Sequence, residues 1–125
     1  MQQILTIPRF TFPGLNEIIK ASKAHPMAYS TMKRNCGNVV ASYIRQAKLK
    51  PMKGPVAVSF EWIEKTGRRD PDNIRAGSKF ILDALVKSKI LPSDGQKAIA
   101  QLSDCFRVDK KVYGVTVHLF QEEEA

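Results

Sequence analysis

The stretch "VAVSFEWIEKTGRRDPDNIRAG", residues 56–77, decides the fold. Its first nine residues alternate, with Val56, Val58, Phe60 and Trp62 on one side and Ala57, Ser59, Glu61 and Ile63 on the other. That period of two predicts a half-buried strand. Thr66-Gly67 makes the turn. Asp70 then stands where an N-cap belongs, Pro71 presets φ for a first helical turn, and Asp72 complements the positive end of the helix dipole. Ile74, Gly77, Ile81, Ala84, Leu85 and Ser88 recur at helical spacing, so the helix is expected to run to about Ser88. The unit is strand, turn, helix. Whether its two aspartates only start the helix or also hold a metal is the question it raises.

Working outward, "QILTI" (residues 3–7) reads as a short strand ended by Pro8, with "FPGLN" as a turn. Leu15, Ile18 and Ile19 suit an amphipathic helix over residues 15–24, stopped by Pro26. Ser30 or Thr31 can cap a second helix, in which Met32, Cys36, Val39, Val40, Tyr43 and Ala47 recur at helical spacing. Beyond the central unit, "LPSDG" (residues 91–95) is a turn. Ala98, Ala100, Leu102, Phe106 and Val108 alternate, which predicts a strand over residues 98–108. Asp109-Lys110-Lys111 leads into a last strand, "VYGVTVHLF", and so short a link predicts an antiparallel hairpin. "QEEEA" (residues 121–125) reads as a frayed, solvated end. The order β-α-α-β-α-β-β is not strict βα alternation. It predicts an α+β fold, a small mixed sheet of about four strands with helices packed on it, as a single domain over residues 1–125.

Charge divides the chain. Residues 1–60 hold nine basic side chains against one acid, Glu17, whereas residues 61–125 hold eleven of each sign. The whole excess of +8 therefore belongs to the first half. A basic surface of this kind suits a polyanion, nucleic acid ahead of anionic lipid, or serves simply as a solvated face. No apolar run approaches a membrane span, and "MQQILTIPRF" has no signal-peptide pattern. Two cysteines, Cys36 and Cys105, make no disulfide framework, so reduced thiols in a cytoplasm are expected.

The acids carry the chemical signal. A strand–turn–helix junction can aim Asp70 and Asp72 into one cleft, where ionised oxygens suit a hard divalent cation. Lys79 follows Asp72 by seven residues and lies on nearly the same helix face, leaning back toward it; Arg75 is on an adjacent face. Asp83 stands too far along a continuous helix to share the metal, and is expected to pair with Lys87 or to support Lys79. Asp94 alone reads as a turn acid. His25 and His118 are isolated, no Cys/His spacing matches zinc, and no P-loop or dinucleotide fingerprint is present, so no organic cofactor is expected. Phe10 and Phe12, beside Arg9, read as core before nucleic-acid surface.

Together these segments resemble the RusA-type Holliday junction endodeoxyribonucleases, in particular those of phages and prophages. The likeness runs through "PGLNEIIKASK", "YSTMKRN", "RRDPDN", "KFILDAL", "ILPSDGQKAI" and "FRVDKK", which together span most of the chain. The resemblance implies a homodimeric nuclease that resolves four-way DNA junctions by paired nicks, with Mg²⁺ as cofactor and Mn²⁺ as substitute. It maps the metal-binding and catalytic acids onto Asp70, Asp72 and Asp94. The family's lysine stands four residues after the second aspartate, where this chain has Ala76; counting back from Asp83-Ala84-Leu85 places it at Lys79, with Arg75 as rival. Ser93 stands where the family has a further aspartate. Arg68, Arg69, Arg75, Lys20, Lys23, Lys33 and Arg34 are the expected DNA contacts. The alternatives are a DNA-binding protein without catalysis, and a metal nuclease acting on forks or flaps.

Overall fold

The computed structural model describes residues 1–122. Its elements are β1 (Gln2–Pro8), α1 (Leu15–Ala24), α2 (Pro26–Ala47), β2 (Val56–Glu64), α3 (Pro71–Arg75), α4 (Ser78–Lys87), β3 (Ile99–Val108) and β4 (Gly114–Phe120). The fold is α+β, and the four strands form one mixed sheet in the order β1-β4-β2-β3. β2 has the alternation read from its sequence: Val56, Val58, Phe60 and Trp62 are all buried. On the same face Leu5 and Ile7 of β1 and Val115, Val117 and Leu119 of β4 complete an apolar layer. Against it pack Val40 and Ile44 of α2, Ile74 of α3, and Phe80, Ile81 and Leu85 of α4. Each such side chain contributes roughly 1.5–3 kcal/mol on burial.

The expected hairpin of the last two strands does not form. β3 runs parallel to β2 at the sheet edge, and β4 is inserted antiparallel between β2 and β1. Burial explains the choice. Val115, Val117 and Leu119 are almost wholly buried and need neighbours on both sides, whereas β3 stays largely exposed. The link over residues 109–113 must cross the end of β2, about two strand spacings or ~10 Å, which a tight hairpin turn cannot do. Asp109 shapes it, its Oδ1 accepting from the Lys111 and Val112 amides at 2.9 and 3.3 Å.

Two helix boundaries also differ from expectation. α2 begins at Pro26 rather than after Ser30 or Thr31, because His25 acts as the cap, its Nδ1 accepting from the Met27 amide at 3.0 Å. Pro26 therefore follows the end of α1 at Ala24, as expected, and is also the first-turn proline of α2. The helix expected from Pro71 to Ser88 is broken at Ala76-Gly77, where i→i+3 bonds replace i→i+4 ones: Gly77 to Ile74, Lys79 to Ala76 and Phe80 to Gly77. A Cβ on Gly77 would lie 2.7 Å from Cβ of Phe12. Glycine at 77 thus leaves room for Phe12 in the core, where it stacks on Phe80 and meets Trp62 edge-on, at centroid distances of 6.5 and 6.4 Å. Phe12 is core, as expected.

Cys36 is buried in α2, and desolvation pushes its thiol up to about 11, so it remains a protonated apolar group. Gln121 continues the β1–β4 edge, exchanging hydrogen bonds with Met1 at 2.9 Å, and so is not frayed. Residues 123–125 of the expected tail lie outside those described. Among the described residues, no helix is long and apolar enough to cross a membrane.

Candidate metal and DNA site

The end of β2, the start of α1 and the start of α3 are tied together by one arginine. Arg69 donates from Nε to Glu64 Oε1 at 2.8 Å and from Nη1 to the Phe12 carbonyl at 3.0 Å, with Glu17 Oε1 a further 3.7 Å away. Glu17 in turn accepts from the Gly14 amide, and Asn73 Oδ1 accepts from the Asn16 amide at 3.2 Å. A Cβ on Gly14 would lie 2.4 Å from Asn73 Oδ1, so this approach requires glycine. "PGLN" and "RRDPDN" are thus halves of one junction. It fixes the backbone on which Asp70 and Asp72 stand.

Those two carboxylates are left over. Asp70 occupies the N-cap position of α3 but makes no capping hydrogen bond, and both aspartates are exposed. Neither takes part in an ion pair among the described residues. The helix does start here, as expected, yet the start does not use the Asp70 side chain. Two unengaged oxygen donors on a braced backbone fit a hard divalent cation.

The cations around them have separate fates. Lys79 is exposed in the first turn of α4. The Ala76-Gly77 break separates it from α3. It therefore stands on the helix after the one whose first turn holds Asp72. Arg75 is instead drawn toward the sheet, its Nε donating to Asp104 Oδ2 at 3.1 Å. Asp83 pairs with Lys33 of the neighbouring α2 at 3.9 Å rather than with Lys87 or Lys79.

Asp94 lies elsewhere. It is exposed in the turn before β3, next to Gly95, whose carbonyl accepts from the Ala98 and Ile99 amides. Because β3 is parallel to β2, Ile99 pairs with Val56 at one end of the sheet and Val108 pairs with Glu64 at the other. Asp70 and Asp72 follow the Glu64 end. Eight strand steps, about 26 Å, separate the two ends. Within one chain Asp94 does not join Asp70 and Asp72, and no group of three or more His, Cys, Asp or Glu side chains among the described residues is placed to hold a metal.

Of the expected DNA contacts, Arg68 is exposed in the loop and Lys20 and Lys23 are exposed on α1, which the Asn16–Asn73 bond ties beside α3. Lys33 and Arg34 line a groove of about 420 Å³ between α2 and α4, shared with Lys87 and Asp83. Arg69 does not fit the role: only 19% of its side chain is exposed, because two glutamates and a carbonyl occupy it. Asp104 is a residue that the sequence reading passed over. One signal marked it. It shares the parity of Leu102, Phe106 and Val108, so an acid sits at an apolar position of the strand.

No model of a known family matches this chain, and no curated protein matches it in sequence.

Proposed function

We propose that the chain is a metal-dependent endodeoxyribonuclease that resolves four-way DNA junctions by paired nicks, using Asp70, Asp72 and Asp94 as ligands for Mg²⁺ or Mn²⁺. The observation that carries this reading is the pair of carboxylates at the start of α3, which helix capping leaves unused. The resemblance of the ordered segments to junction resolvases supports the choice of DNA, as does the basic first half.

The separation of Asp94 from the pair supports a homodimer with a shared site. β3 has an open edge, and its Leu102, Phe106 and Val108 are 45%, 37% and 55% exposed. Such an edge invites pairing. Two copies joined antiparallel along β3 about a two-fold axis would put the start of one β3 beside the end of the other. Asp94 of the partner subunit then approaches the Val108 end, where Pro71 and Ile74 border the same cleft as Phe106 and Val108. Each dimer has two such sites, and a four-way junction needs two symmetric cuts.

A cation held by these acids supplies charge neutralisation and an activated water. The remaining work belongs to side chains of this protein. Lys79 stabilises charge that develops on the scissile phosphate. In-line attack leaves a 5′-phosphate and a 3′-hydroxyl. Lys20, Lys23, Lys33, Arg34 and Arg68 hold the arms through backbone phosphates, so affinity falls steeply with salt. Reduced thiols fit a cytoplasmic protein.

The test is a comparison of four-way junction, fork and linear duplex as substrates with Mg²⁺ or Mn²⁺. Symmetric nicks in opposite strands of the junction, with duplex left largely intact, are expected. Binding without nicking in either metal would leave a DNA-binding protein, and equal rates on fork and junction would move the substrate to forks.

A further inference from the structure

Resting on the reading of Asp70 and Asp72 as a DNA-cleaving pair, we propose that Asp104 is a positioning residue that holds Arg75 ready to grip a phosphate beside that pair. Asp104 is the mid-point of a chain of three side chains running from core to surface. Trp62, wholly buried, donates from Nε1 to Asp104 Oδ1 at 2.7 Å. Arg75 donates from Nε to Asp104 Oδ2 at 3.1 Å. Each carboxylate oxygen therefore has its own donor, and only 10% of the Asp104 side chain is exposed. A carboxylate so buried is costly without a charged partner, so it holds Arg75 firmly.

The guanidinium is used on one side only. Its Nε faces Asp104, half of the side chain is exposed, and among the described residues Nη1 and Nη2 have no protein partner. Those two nitrogens form the outer edge of a planar fork, which matches two oxygens of a phosphodiester. Arg75 follows Asp72 by three residues on α3, so the fork stands about one turn from the carboxylate. A free surface arginine would lose its rotamer freedom on gripping a phosphate, and one already anchored at Nε has less to lose. Asp104 thus acts through Arg75 and not on DNA. Lysine could not replace Arg75, because one ammonium cannot serve the buried acid and a phosphate with the same geometry.

The test is a double-mutant cycle on junction binding in EDTA, where cleavage plays no part. Asp104→Asn keeps an acceptor for Trp62, and Arg75→Gln keeps a donor for Asp104, so both are chosen to preserve the fold. Trp62 is the only tryptophan, and its fluorescence checks that its surroundings persist. Arg75→Gln is expected to weaken binding by about tenfold, the scale of one charge-assisted hydrogen bond. Asp104→Asn is expected to weaken it by roughly three- to tenfold, but by less than about twofold when Arg75 is already Gln. Arg75→Lys should not restore affinity. Equal costs for Asp104→Asn in both backgrounds, or no cost in either, overturn the proposal while leaving the nuclease reading standing. A wild-type protein without affinity for DNA overturns both.

Discussion

Asp70→Asn is expected to reduce Mg²⁺-dependent nicking of a four-way junction on the order of 10³-fold or more, with junction affinity held within about twofold. The substitution removes one charge from the pair that would hold the cation and changes nothing else that the fold uses. Asp70 makes no capping bond, so even Asp70→Ala should leave the melting temperature nearly unchanged. A working N-cap would instead lose about 1 kcal/mol on that change. The two measurements separate the two roles: rate lost with stability kept identifies a site acid, and stability lost with no enzymatic effect identifies a cap. Asp72→Asn should behave like Asp70→Asn.

The second large effect is expected at the sheet edge. The double variant Leu102→Lys, Phe106→Lys should fold, remain monomeric and lose paired nicking. In a single chain both side chains already meet solvent, so lysine there is tolerated. In a dimer paired along β3, four ammonium groups would crowd one seam, and like charges across neighbouring strands repel. Light scattering gives the oligomeric state and a junction assay gives the rate. A monomeric variant that still nicks at the wild-type rate would remove the shared site from the account.

Much of the architecture could be read from residue pattern, and the reason is physical. β2 is buried on one face, so its alternation is sharp, and the glycine, proline and aspartate at its ends mark its limits. The α+β class followed from the order of elements alone. Which strands pair did not follow, because alternation records the face a residue occupies and not the neighbour across the ladder. The clue was in degree of apolarity: Val115, Val117 and Leu119 are all buried, while β3 mixes Leu102 and Phe106 with Gln101, Asp104 and Arg107. Helix periodicity likewise continued through Ala76-Gly77, since a 3₁₀ step changes the phase by too little to show in a few residues.

The candidate site was legible in its parts and not in its assembly. Asp70 and Asp72 stand at a helix start as expected, and Lys79 stands exposed in the first turn of the next helix. Arg69, expected to be a DNA contact, has Glu17, Glu64 and the Phe12 carbonyl around it, partners that its place in the sequence does not reveal. Asp94 joined the pair only through the resemblance, since by itself it reads as a turn acid. In the fold it precedes the start of β3, which pairs with the Val56 end of β2, whereas Asp70 and Asp72 follow the Glu64 end.

The central claim is that each metal site takes Asp70 and Asp72 from one chain and Asp94 from another. Mixing Asp70→Asn protein with Asp94→Asn protein, each inactive alone, and allowing the dimers to exchange tests it directly. Each heterodimer would contain one fully intact shared site and one doubly altered one. With equal amounts and free exchange, about a quarter of the wild-type sites should return. Junctions should then be nicked in one strand rather than two. If affinity-tagged subunits show that heterodimers have formed and the mixture still does not nick, the site is not shared between chains and the account is wrong at its centre.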